Sequence, residues 1–177
     1  IYKAGNRFMH DYGTENIFAG INAGNFTLTG TSNTAMGYEV LYAATSGSQN
    51  VGIGYKALRQ NTSGSVNTAV GFYALKLNST GTENTAAGYL SLENNTGSLN
   101  TAFGRSALNA NTSGNYNTGC GVHSGWYSQD GSYNVFVGGY AGCSGGNYTG
   151  ADNNTLVGYR AGNNITTNCD NNVALGY

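Results

Sequence analysis

Asn67-Thr68-Ala69-Val70-Gly71 returns seventeen residues later as Asn84-Thr85-Ala86-Ala87-Gly88. The order of types, Asn, β-branched, small, apolar, Gly, decides how the whole chain is read. The same five-residue phrase stands at Asn33-Thr34-Ala35-Met36-Gly37, Asn50-Val51-Gly52-Ile53-Gly54, Asn100-Thr101-Ala102-Phe103-Gly104, Asn117-Thr118-Gly119-Cys120-Gly121 and Asn134-Val135-Phe136-Val137-Gly138. Towards the ends it becomes Asn16-Ile17-Phe18-Ala19-Gly20, Asn154-Thr155-Leu156-Val157-Gly158 and Asn172-Val173-Ala174-Leu175-Gly176. The step is 17 almost throughout, 16 before Asn100, then 20 and 18 at the last two copies. A fixed period of this length is the signature of a stacked repeat architecture.

The remainder of each unit repeats as well. Val40-Leu41, Ala57-Leu58, Ala74-Leu75, Ser91-Leu92 and Ala107-Leu108 are followed by turns such as Asn61-Thr62-Ser63-Gly64 and Asn111-Thr112-Ser113-Gly114. One unit is therefore two short extended runs joined by turns. A lone unit buries about four apolar side chains worth roughly 2 kcal/mol each, against a backbone entropy cost of roughly 1–2 kcal/mol per residue. It must stack to fold, pairing its backbone with the coils above and below at a spacing of about 4.8 Å. The expected fold is all-β, a parallel β-solenoid or β-roll of about ten coils spanning 16–177, with 1–15 as a lead-in or cap.

Within the motif, a second position that accepts Ile17, Val51, Val135 and Val173 reads as an interior slot, and the fourth, apolar throughout, shares its side. The third position then faces outward. Phe18, Ala35, Gly52, Ala69, Ala86, Ala102, Gly119, Phe136, Leu156 and Ala174 form an outward apolar stripe on this reading, expected to pack against other copies of the chain. Asn16, Asn33, Asn50, Asn67, Asn84, Asn100, Asn117, Asn134, Asn154 and Asn172 are read as a structural ladder of turn amides bonded from coil to coil. Tyr38, Tyr55, Phe72 and Tyr89 follow the motif Gly in successive coils and should stack; a sugar platform is the sharper alternative.

The phrase Asn33-Thr34-Ala35-Met36-Gly37-Tyr38-Glu39-Val40-Leu41 with an Asn-Thr-Ser-Gly turn resembles the repeats of bacterial and phage tail-fibre and tail-spike proteins. Many of those carry a self-cleaving chaperone domain at the C-terminus. A looser likeness is to the heads of trimeric autotransporter adhesins, whose shorter repeats form a left-handed parallel β-roll. The resemblance covers Asn16 to Tyr177 and implies a homotrimeric, extracellular β-solenoid on a cell surface or virion. Nothing typical of the chaperone's cleavage site is visible, so no catalytic function is carried over. The break in mid-motif at Gly176-Tyr177 suggests a piece of a longer chain.

Composition narrows the function. Charged residues make up 8% of the 177, there are 29 Gly and no Pro, and the net charge is -1, so no basic face exists for nucleic acid. No apolar run of about 18 residues occurs, and no membrane insertion by this segment is expected. Ile1 to Arg7 show no basic leader ahead of an apolar stretch. His123, Ser124 and Asp130 lack a nucleophile elbow, the glycines follow the repeat period without a Gly-Lys-Ser/Thr, and Asp is too sparse for calcium-binding coils. No enzyme activity, cofactor or metal is expected.

Cys120 takes a fourth-position slot and reads as a buried thiol. Cys143 and Cys169 lie in the two irregular turns, where a disulfide would fasten long loops. Sequons at Asn25, Asn61, Asn78, Asn94, Asn111, Asn147, Asn153 and Asn164 are read as turn chemistry. Trp126, Tyr127 and Tyr133, in the coil where Gly125 replaces the usual Leu, are the candidate recognition surface for glycans. The expected role is a rigid trimeric rod or head serving adhesion or host recognition; the alternative is a purely architectural filament or sheath without a receptor. Ice binding through the Thr rank is set aside because Val and Ile replace Thr and place the slot inside.

Overall fold

The computed structural model describes residues 2–3, 6–7, 9–143, 149–163 and 168–176. The chain is all-β. Two short strands, β1 (Tyr2–Lys3) and β2 (Asn6–Arg7), pair antiparallel with each other. β3 (Met9–His10) then lies antiparallel along β4 (Ile17–Ala19), occupying the open edge of the first coil. From β4 onward each motif contributes one three-residue strand: β5 (Thr34–Met36), β6 (Val51–Ile53), β7 (Thr68–Val70), β8 (Thr85–Ala87), β9 (Thr101–Phe103), β10 (Thr118–Cys120), β11 (Val135–Val137), β12 (Thr155–Val157) and β13 (Val173–Leu175). With β3 they make one 11-stranded sheet in sequence order, parallel from β4 to β13. The register joins residues one repeat apart, Thr34 with Val51 and Val51 with Thr68, as the period requires. The coils complete about nine turns.

Side-chain parity is the reverse of the sequence expectation. Ala35, Ala69, Ala86, Ala102, Phe18, Phe136 and Leu156 are all 0% exposed within the single chain. Gly52 and Gly119 are buried with them, and Ala174 is half-buried against the same core. The outward stripe assigned to these residues is therefore the inner wall of the solenoid, and the second and fourth positions face out. The reason is the Asn at position one, buried in every coil from Asn16 to Asn154. Alternation along an extended strand places position three on the same side as position one. Cys120, at a fourth position, is correspondingly exposed rather than buried.

The core is thin. Ala57, Ala74 and Ala107 and the row Leu41, Leu58, Leu75, Leu92 and Leu108 close it opposite the strands, all fully buried. Those leucines sit at φ between 48° and 52°, a left-handed geometry that bulky residues seldom adopt. Stacking holds them there: the N–H of Leu75, for example, donates to the Ser91 carbonyl 3.1 Å away in the next coil.

Where the inner wall carries a ring, the leucine disappears. A Cβ added at Gly125 would sit 2.5 Å from Phe136 Cδ2, and one at Gly142 would overlap the other edge of the same ring. Gly24 makes the same room for Phe18, with Phe18 Cγ 2.6 Å from the Cβ position. Phe136 thus fills the volume that two leucines fill elsewhere. Phe136→Ala should cost about 3–5 kcal/mol by opening a cavity, read as a fall in melting temperature. Adding Gly125→Leu and Gly142→Leu to that variant should recover most of the loss, whereas either leucine beside Phe136 should destabilise.

Candidate functional site

Two Asn ladders run up the interior. Asn67 shows the first: its Nδ2 donates to Asn50 Oδ1 at 3.1 Å and to the Gly81 carbonyl at 2.8 Å, while its Oδ1 accepts from the N–H and Nδ2 of Asn84 at 3.0 and 3.1 Å. A second ladder comprises Asn61, Asn78 and Asn111, read from the sequence only as turn residues, together with Asn95, which the sequence did not single out, all 0% exposed. Asn78 Nδ2 donates to Asn61 Oδ1 at 2.8 Å and to the Gly81 carbonyl at 3.0 Å. From Asn16 to Asn154, and along the second ladder, the amides bond to the adjoining coils or to their own turns. These ladders satisfy backbone carbonyls that a narrow core would otherwise strand.

Burial also decides the sequons. Asn61, Asn78 and Asn111 are enclosed and hydrogen-bonded, so the folded chain presents none of them to a glycosylating enzyme. Asn25 and Asn94 are half-buried and Asn153 is exposed; Asn147 and Asn164 lie outside the described residues. Cys143 and Cys169, both half-buried, are not joined by a disulfide. Among the described residues no cluster of metal-ligating side chains occurs, and no helix is long and apolar enough to cross a membrane.

The aromatic column is a true stack. Ring centroids are 5.3 Å apart for Tyr38 and Tyr55, 5.1 Å for Tyr55 and Phe72 and 5.2 Å for Phe72 and Tyr89, with planes within 14° of parallel. The rings cover one another's faces, and Lys56 and Arg105 lie over Tyr38 and Tyr89. A sugar needs an open ring face, so this column offers mainly edges. Beside it Arg59 Nε donates to Glu39 Oε2 at 2.7 Å, linking adjacent coils. Burial works to raise the Glu39 carboxyl, but hydrogen bonds from Arg59 and Tyr38 outweigh it and hold the group below the usual carboxylate range.

The candidate recognition trio divides between two corners. Trp126 and Tyr127 stack at 5.1 Å and 19°, with His123 4.2 Å from Trp126 and 5.2 Å from Tyr140. Tyr133 sits on the other corner, 57% exposed and stacked on Tyr116 at 5.0 Å and 7°. His123, which the sequence reading considered only as a hydrolase residue, is buried, and its Nδ1 has no hydrogen-bond partner. Burial, then the neighbouring Arg105, pushes its pKa below the usual histidine range, so it is neutral at pH 7.

Two outer features complete the surface. The second and fourth motif positions form a sheet face on which Met36, Ile53, Val70 and Phe103 are 49, 39, 40 and 47% exposed. At the N-terminal end a surface hollow of about 510 Å³ is lined by His10, Asn22, Gly24, Asn25, Phe26 and Tyr42 among others. His10 Nε2 lies 2.9 Å from the Ala23 carbonyl oxygen there.

No protein-family model matches the chain, and comparison with curated proteins and with solved structures gives no significant match.

Proposed function

We propose that this chain is a structural segment of an extracellular or virion fibre, assembled as a homotrimer and serving adhesion or host recognition as a rigid rod or head. The observation that carries the reading is the unbroken parallel ladder from β4 to β13 over a core filled by Ala, Leu and Asn. Such a coil stack works by geometry. It is stiff, it grows by repetition, and its interior is too thin to host a substrate. Proteins of this shape meet partners on their outer surface, where several weak contacts add through avidity when copies are bundled.

Trp126 and Tyr127, both half-buried, are the residues proposed to meet a glycan: Trp126 is in ring contact with His123 as well as Tyr127, so the sugar is placed against the face of Tyr127 turned away from Trp126. Binding of the assembled protein to whole cells or to a glycan array tests this. Trp126→Ala with Tyr127→Ala should weaken attachment at least tenfold while leaving circular dichroism unchanged. If no binding is detected with the unaltered protein, the segment is architectural, a filament or sheath component without a receptor of its own.

A further inference from the structure

The outward face of the parallel sheet has two central ranks without a single charged residue. One is Thr or Val at every coil after Ile17, and the other holds Ala, Met, Ile, Val, Phe, Cys or Leu. The strands of this face are three residues long, about 10 Å, and ten of them stand about 43 Å tall, roughly 430 Å² in flat projection. That is the size of the largest apolar patch on a typical monomer, commonly a functional one, and about half of the roughly 800 Å² that each partner gives to a standard complex.

We infer that this face, and not the third-position row, is where copies of the chain dock side by side. The inference rests on the fibre reading above and names the surface that bundles it. A second copy fits for two reasons. The central ranks carry no charge, so an acidic or basic partner finds nothing to steer by. The side chains also recur at the strand spacing, and a partner that keeps knobs in gaps over the full height must share that pitch, as another copy does by construction. The Thr rank faces outward, contrary to the expectation of an interior slot, but Ala87 lies directly beside Phe103 across the ladder, so the face is too uneven to meet the flat lattice of ice.

The test is mass in solution, by sedimentation across the micromolar range, for the unaltered chain, for Val70→Lys with Phe103→Lys, and for Ser63→Lys with Thr80→Lys on the exposed turns. The unaltered chain and the turn variant should be multimers. The face variant should dissociate at least tenfold more readily with unchanged circular dichroism. Cys120, exposed on the same face, gives a second readout that needs no substitution. Its alkylation by a maleimide should be slow in the multimer and fast on dilution. A multimer indifferent to the face variant, with Cys120 equally reactive at all concentrations, overturns the assignment of the face and leaves the fibre reading standing. A monomer at every concentration overturns both, and ice-recrystallisation inhibition by that monomer, lost in Thr85→Lys, would reassign the face to ice.

Discussion

Gly71→Ala is expected to break the stack rather than loosen one turn. Gly71 has φ of +140°, a region closed to alanine without strain of about 1–3 kcal/mol. A Cβ there would overlap the carbonyl oxygen of Gly88 and sit 2.8 Å from its carbonyl carbon. Neither atom can move cheaply, because both belong to the backbone of the next coil. The Gly71 N–H meanwhile donates to the Ile53 carbonyl at 2.8 Å, so shifting this residue also disturbs the coil before it. Strain and lost ladder bonds together should exceed about 3 kcal/mol, a fall of roughly 6–12 °C in melting temperature for a chain of this length. Ser63→Ala, on an exposed turn, should stay within about 0.5 kcal/mol of the unaltered protein.

Leu75→Asp should have a comparably large effect by a different route. Leu75 is 0% exposed, and the buried polar residues around the core are Asn, Ser and His123, with no buried cation among the described residues. A carboxylate at that point has no partner, and it must take up a proton or draw water into the coil. Leu75→Ala, which only leaves space, should cost about 2–5 kcal/mol, and the aspartate variant more. Each coil touches only its neighbours, so hydrogen exchange should rise first around Leu58 and Leu92 and last near β4 and β12. Uniform loss of protection along the chain would contradict the one-dimensional picture.

The register was legible because a period of 17 leaves one way to stack the Asn-led motif, and the Tyr38 to Tyr89 column follows from it. Parity was not. A strand of three residues offers too few positions for alternation to show, and Val51 or Ile17 in the second slot looked like a core residue although Ile17 is 57% exposed. The decisive residue was the polar one: Asn is buried because its amide finds carbonyls and other Asn side chains, a pairing visible only once coils are superposed. One signal was nevertheless in the sequence. Leu is replaced by Gly125 and Gly142 in the coils around Phe136, and by Gly24 beside Phe18, and such size exchange marks residues that share one interior. The division of Trp126 from Tyr133 was hidden for a related reason, since corners are assigned by turn geometry that composition does not reveal.

Pairs of spin labels on equivalent turns measure the stack most directly. Ser46, Ser63, Thr80, Ser113 and Asp130 are exposed and occupy the same corner, one residue before the turn Gly of their coils. Diluted with unlabelled chains so that only distances within one chain are read, labels at 46 and 113 should lie about 19 Å apart, four strand spacings, and labels at 46 and 130 about 24 Å apart, five spacings. The separation should rise by one strand spacing per repeat whatever the number of residues between. Distances that fail to rise with the number of coils, or that fall where an antiparallel hairpin would bring the turns together, would contradict the parallel solenoid.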